Sequence, residues 1–541
     1  MSTDGSGAAA ETPATIDEKI ADLVDFIIEQ TGRPMNFWAV AALLESRGLR
    51  DVDAIEQYER RHIFQLAKDV FDRVVVKVDT LPPEKRESQR PGFGALLRDF
   101  VRFYLKGTVF ALPMAGQIVA ILLLRYSLWA WLEFSVMQAS LVAIGTIGSF
   151  VISGGLIQAI GREGTFYQGQ MNPLLLERIC QLLVRTGVAV TVILCVLVSI
   201  INVLMPYFAA SELAIVLLYF GLLTPLWLLL AVLYMMQDNL AILLCTLIGT
   251  AAVHLMMTFG TGNIHTAHSV GLITASVCAA AWARFRVRRR QRDADKKCQL
   301  ARLPRNSVLL YIIEPFLTYG TLYFSFLFVD RVVGWSASTY RLPVVVWFRT
   351  AYELGMDWAL LSLVMTFAVL EYTVNQFNRI IIPTQQDIMA SDYEEHNRSF
   401  MRFYVRQNVL LAIVSLASIT ITYFAVLQLQ RLDHIPEVRD FFASPITYFT
   451  YWGAAVGYTL LAFGLLNALF FFSLAKPKIV IDCIKWGLLV DLVVSYVLSR
   501  TISYEYSVFG LVVGAAVFAT LIIRRAIKMF NNLDYYYYAA F

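Results

Sequence analysis

The sequence is poor in charge. Of its 541 residues only 16% are Asp, Glu, Lys or Arg, against about 25% in soluble domains. The formal net charge of +4 is too small to mark a nucleic-acid binder. Cysteine is scarce as well. The six residues Cys180, Cys195, Cys245, Cys278, Cys298 and Cys483 show no short metal-ligand spacing, which reads as neither a disulfide framework nor a zinc site. P-loop, HExxH and GxSxG patterns are lacking, and the glycines at 92, 94, 161 and 164 are isolated. The expectation is a chain that is not an enzyme, with no catalytic residue, no cofactor and no metal. Met1 to Pro13 is small and polar, followed by Asp17, Glu18, Asp22 and Asp25. That start lacks the basic segment and short apolar core of a signal peptide.

What is present is hydrocarbon. Hydrophobic residues make up 58% of the chain, and the mean hydropathy is +0.60. A soluble enzyme of this length could not bury so much apolar surface. The excess is local. Residues 1–106 read like a soluble polypeptide, and nearly everything after Gly107 reads as lipid-facing. In the head, Ile16, Ile20, Leu23, Ile27 and Ile28 recur at near-helical spacing, and Thr15 with Glu18 forms a capping-box pattern. Asn36 to Arg47 and Asp53 to Lys77 read as two further helices. Asp79 to Gly92, with Pro82, Pro83 and Pro91, reads as a linker. The spacing therefore predicts a helical domain with its linker over 1–90 and an interfacial helix over 91–106.

A hydrocarbon core about 30 Å thick needs about 20 apolar residues per helix. On that ruler the chain shows twelve spans. The first six lie near 107–124, 135–160, 187–206, 213–236, 240–259 and 268–285. The second six lie near 308–328, 351–374, 409–429, 449–474, 479–498 and 506–523. A basic stretch, 286–306, separates a first bundle (107–285) from a second (307–523), and a tail follows (524–541). The expected fold class is an all-α integral membrane protein with about twelve transmembrane helices in two six-helix bundles and a small N-terminal cytoplasmic helical domain. Lys and Arg are several-fold more frequent in the loops on the side of the amino terminus, above all in Arg284 to Arg305. That places both termini in the cytoplasm. Two such halves around a central linker suggest an internally duplicated transporter.

Ionisable groups inside spans are costly and face a bundle interior or a wet cavity. The first half holds few: His254 reads as a buried polar contact, and Arg178 and Arg185 as membrane-edge anchors. The second half differs. Tyr311, Glu314, Thr318, Thr321 and Ser325 form a polar stripe along one face of span seven. The stripe reads either as a cavity lining or as a helix–helix seam. Arg349, Glu353 and Asp357 share a face at the start of span eight, with Glu371 further along. They read as a surface ion-pair ladder or as cavity residues. Asp491 lies deep in span eleven with no local partner. The aromatic content, 13%, suits interface belts and packing, and also a path on which sugar rings stack.

Residues 323–334, YFSFLFVDRVVG, and 352–373, YELGMDWALLSLVMTFAVLEYT, resemble paired motifs of the Pel exopolysaccharide transporter family. Asp330 and Arg331 match its acid–base pair at the end of span seven. Tyr352 and Glu353 match its Tyr–acid motif, and Glu371 with Thr373 the closing motif. The stretches 217–243 and 533–537 are similar too. That family is similar to the multidrug, oligosaccharidyl-lipid and polysaccharide exporters. The resemblance implies two six-helix bundles around a central cavity, alternating access and a bacterial inner membrane. It also implies a glycan cargo and a cytosolic glycosyltransferase working with other polysaccharide synthase or export subunits. The acidic head has no counterpart in the pattern. The expected function is therefore export of an exopolysaccharide through the lipid bilayer. A lipid-linked oligosaccharide flippase and a membrane scaffold for a synthase are the alternatives, and the outer loops are too short for a membrane glycosyltransferase. In intact cells, a cysteine introduced by Lys296→Cys should be shielded from an impermeant thiol reagent and one introduced by Asp433→Cys should react. The reverse pattern would overturn the orientation.

Overall fold

The computed structural model describes residues 16–31, 34, 36–80, 94, 98, 101–102, 112–170, 172–260, 262–293, 303–337, 346–387, 393–431, 444–533 and 536. The linker over 81–92, most of the interfacial stretch, Cys298 and most of 533–537 lie outside these residues.

The head contains four helices, α1 (Ile16–Thr31), α2 (Phe37–Ser46), α3 (Asp51–Tyr58) and α4 (Ile63–Thr80). The single helix expected from Asp53 onward is two. Glu59 takes a left-handed φ of 53° and ends α3. The Asp51 carboxylate then accepts from the Ile63 N–H at 2.8 Å, tying the start of α4 back to α3. Asn36 caps α2 by accepting from the Ala39 N–H at 2.9 Å. Asp53 accepts from the backbone N–H and the guanidinium of Arg50, and these bonds hold its carboxyl below the usual range. Ile20, Leu23, Leu44, Leu66 and Val70 are buried together, so the head has a core of its own.

Two helical lobes follow. The first contains α5 (Leu112–Leu124), α6 (Val136–Gly169), α7 (Pro173–Leu204), α8 (Ala210–Met235), α9 (Asn239–Phe259) and α10 (Ile264–Asp293). The second contains α11 (Asn306–Trp335), α12 (Thr350–Asp387), α13 (Tyr393–Leu429), α14 (Pro445–Ser473), α15 (Pro477–Thr501) and α16 (Val508–Phe530), with a 3₁₀ turn, Tyr504–Ser507, before α16. No strand occurs among the described residues beyond one isolated bridge, Tyr126 to Trp131. Among the described residues ten helices are long and apolar enough to cross a membrane, and the chain is a multi-pass membrane protein. The described part of α5 is short, and α15 carries Lys478, Asp482, Lys485 and Asp491. The end of the bundle that bears Arg284–Arg290 is termed the basic face below.

Several helices outrun the expected spans. The helix α7 begins at Pro173, not near 187, because Leu175, Leu176, Ile179 and Leu183 are buried against the lobe although Arg178 and Arg185 lower the local hydropathy. The helix α10 likewise continues through the arginines to Asp293.

The lobes meet where α6 crosses α11. A Cβ on Gly320 would lie 2.2 Å from the Gly154 carbonyl oxygen, and one on Gly155 would lie 2.5 Å from that of Leu317. Only glycine permits backbones that close. Phe150 of α6 stacks on Trp227 of its own lobe at 4.6 Å and on Phe324 of the other at 5.5 Å. At the face opposite the basic one, the Phe348 N–H donates to Ser140 Oγ at 2.9 Å.

Candidate functional site

The buried charged groups of the second lobe gather near the face opposite the basic one. Arg331, four residues before the end of α11, is buried and donates three hydrogen bonds. Nη1 reaches Glu353 and Asp357 of α12, both at 2.7 Å, and Nη2 reaches the Tyr458 hydroxyl of α14 at 2.9 Å. The Glu353 side chain is 4% exposed, and its other oxygen accepts from Trp335 Nε1 at 2.7 Å. A guanidinium fork thus joins three helices through charge-assisted bonds. Asp357 differs from Glu353: its side chain is 62% exposed, although it sits about 10 Å into α12 along the helix axis.

A second set lies behind the first. Asp330, fully buried, accepts from the Tyr352 hydroxyl at 3.0 Å. Tyr352 accepts from Ser507 Oγ at 3.1 Å. Ser495 Oγ contacts Asp491 Oδ1 and the Ser507 carbonyl oxygen, each at 2.9 Å. Asp491 is fully buried because α16 presents Gly510 and Gly514 to it. A Cβ on either glycine would fall 2.6 Å from an atom of the Asp491 side chain.

The structure brings together Asp330, Arg331, Glu353, Asp357 and Asp491. It does not bring Arg349 to Glu353. Arg349 precedes α12, so its side chain leaves the helix face; it donates to the Ala337 carbonyl at 2.8 Å and lies over the Tyr504 ring at 4.7 Å. The surface ladder considered for Arg349 and Glu353 does not form. Tyr311 and Glu314 lie near the basic end of α11, about 25 Å along the axis from Arg331, and are exposed. Thr318 donates to Glu314 at 3.2 Å. Ser325, half-buried, stands between the two groups. Glu371 is half-buried towards the basic face, within electrostatic reach of Tyr234 in the first lobe. Its neighbour in sequence, Thr373, donates to Gln407 at 3.1 Å.

Tyr458, Trp335, Ser495 and Ser507 also belong to the site and were not foreseen. Trp335 and Ser495 each stand four residues after a charged site residue, the spacing that shares a helix face. Tyr458 and Ser507 arrive through tertiary packing. The first lobe holds tyrosine–histidine contacts: Tyr126 to His254 at 2.8 Å, and Tyr219 to His268 at 2.6 Å and to His265 at 3.3 Å. Among the described residues no group of three or more His, Cys, Asp or Glu is placed to hold a metal ion.

The overall arrangement is shared with known transporters. A MOP superfamily transporter from Pyrococcus furiosus aligns with a TM-score of 0.53 at 15% identity, over 81% of this chain and 96% of its own. A multidrug resistance MATE family transporter of the MOP superfamily, in an outward-facing conformation, aligns with a TM-score of 0.52 at 14% identity over the same shares. A MATE transporter in complex with MaD3S aligns with a TM-score of 0.50 at 14% identity. No family model and no curated protein sequence matches this chain. The fold is that of the MATE transporters, with about twelve transmembrane helices.

Replacing Arg331 with Met leaves Glu353 buried without its base, and should destabilise the protein by about 3–5 kcal/mol. Adding Glu353→Gln should recover part of that loss. A double-mutant cycle on thermal unfolding in detergent reads the coupling. Additive losses would mean that the pair contributes nothing.

Proposed function

We propose that this chain carries a polysaccharide out of the cytoplasm through a wet cleft between its two lobes. One observation carries the reading. Asp357 sits inside a spanning helix with its side chain 62% exposed, and an ionised carboxylate at that depth is too costly to face lipid. A water-filled cleft is the environment that suits it. Exposed Tyr311 and Glu314 on α11 offer a hydroxyl, a ring face and a carboxylate towards the basic end. Hydroxyls, carboxylates and tyrosine rings suit a hydrophilic glycan, whose sugar faces stack on aromatics while its hydroxyls hydrogen-bond. The MATE-like fold supports transport by movement of one lobe against the other. The motifs at 323–334 and 352–373 favour an exopolysaccharide exporter of a bacterial inner membrane, with both termini and the head in the cytoplasm.

Asp357→Asn and Glu314→Gln should leave the folded yield near wild type and lower secreted polysaccharide per folded protein several-fold. Unchanged specific export in both, and in the double variant, would remove these groups from the path. Accumulated lipid-linked oligosaccharide in the variants would favour the flippase reading.

The partner in this reading is a cytosolic glycosyltransferase that docks on the head. Trp38 is exposed there beside Phe37 and Phe64, with ring centroids 4.7 and 5.1 Å apart. Because the head has its own core, deleting residues 1–90 should leave the bundle folded while abolishing co-purification of the synthase. Retained synthase would contradict docking at the head.

A further inference from the structure

Among the buried charged groups of the second lobe, the acids Asp330, Glu353 and Asp491 outnumber the base, Arg331. Arg331 is committed to Glu353, Asp357 and Tyr458. Glu353 and Asp357 both take their counter-charge from that guanidinium. Asp330, 0% exposed, feels the adjoining Arg331 charge, which leaves Asp491, also 0% exposed, without a counter-charge. Neither Arg349 nor Arg500 supplies one: Arg349 is turned to the Ala337 carbonyl, and Arg500 to the Val333 carbonyl and the hydroxyls of Ser336 and Ser499. An isolated ionised carboxylate in such a site costs many kcal/mol and is neutralised instead.

The hydrogen bonds indicate where the neutralising proton sits. Ser495 owns one hydroxyl hydrogen but contacts two oxygens, Asp491 Oδ1 and the Ser507 carbonyl, each at 2.9 Å. The Ser507 carbonyl can only accept. If Ser495 donates to it, the contact with Asp491 is a hydrogen bond only when Asp491 is the donor. Asp330 has no such need, because Tyr352 donates to it and Ser507 donates to Tyr352. Asp491 Oδ2, Asp330 Oδ1 and Arg331 Nε are buried without a hydrogen-bond partner. Two unserved acceptors are better tolerated when one acid is neutral.

We propose that Asp491 is a proton-binding site, occupied in this conformation. Its carboxylic acid donates to Ser495, and Ser495 donates to the backbone of the 3₁₀ turn. The titratable group that acts on it is Asp330 on α11, and behind Asp330 stand Arg331 on α11 and Tyr352 on α12. On α16 the contacts at this level are Gly510 and Gly514. Any rearrangement that brings Asp491 to water or to a base releases one proton, leaving a carboxylate. The Ser495 hydroxyl then turns from the turn to the acid. The proposal is independent of what the chain carries.

Infrared spectroscopy of the full-length protein in nanodiscs tests it. Wild type at neutral pH should show the carbonyl stretch of a buried, protonated carboxylic acid. Asp491→Asn should lose that band, and Asp330→Asn should keep it. Ser495→Ala, which removes the acceptor but leaves the acid, should move the band to higher frequency, so a poorly folding Asp491 variant does not end the test. Absence of the band in wild type, its survival in Asp491→Asn, its loss only in Asp330→Asn, or its displacement by sodium at fixed pH would each overturn the assignment.

Discussion

The second lobe is organised around one guanidinium. Arg331 comes from α11, which also supplies the close crossing with the first lobe at Gly320. Its fork pins α12 through Glu353 and Asp357, and α14 through Tyr458. A buried pair of this kind is a poor source of stability by itself, because desolvation offsets most of the attraction. Its consequence is geometric: the fork accepts partners only in a fixed plane, so three helices are held in one register. Trp335 reinforces the arrangement from one turn further along α11, by donating to the same carboxylate.

From that constraint the rest of the site follows. With Arg331 committed towards α12 and α14, the acids on its other side, Asp330 and Asp491, make no direct ion pair with it. They are accommodated by hydroxyls, Tyr352, Ser495 and Ser507, and by glycines on α16 that let α15 approach closely enough to exclude water. The lobe therefore has a paired, exposed side at Asp357 and an unpaired, buried side at Asp491. The first lobe carries tyrosine–histidine and serine–tryptophan contacts and pairs Arg286 with Asp238 at 2.8 Å.

Much of this was legible in the chain, and the omissions have physical causes. Hydropathy found the two-lobe helical architecture, because the membrane demands apolar runs of a set length. It misplaced the start of α7 and the end of α10, because helices continue past the hydrocarbon where charges are tolerated. It read one helix where Glu59 makes two, since a left-handed residue in an acidic, non-glycine context leaves no signal. The motif around Asp330 and Arg331 named two residues that the structure buries in one cluster with Glu353 and Tyr352. The pairing of Arg331 with Glu353, instead of Arg349 with Glu353, depended on α12 beginning one residue after Arg349. Tyr458 and Ser507 are separated from Arg331 and Tyr352 by long stretches of chain, and only packing brings them together.

The central claim is that the charged cluster of the second lobe borders water inside the membrane span. The direct measurement is thiol reactivity in a variant free of native cysteines. A cysteine at position 357 (Asp357→Cys) should react with a charged, membrane-impermeant reagent. One at position 416 (Leu416→Cys), on an exposed apolar face of α13, should react only with a lipid-soluble reagent. Equal protection of both positions from the charged reagent would contradict the wet cleft, and with it the account of how this lobe meets its cargo.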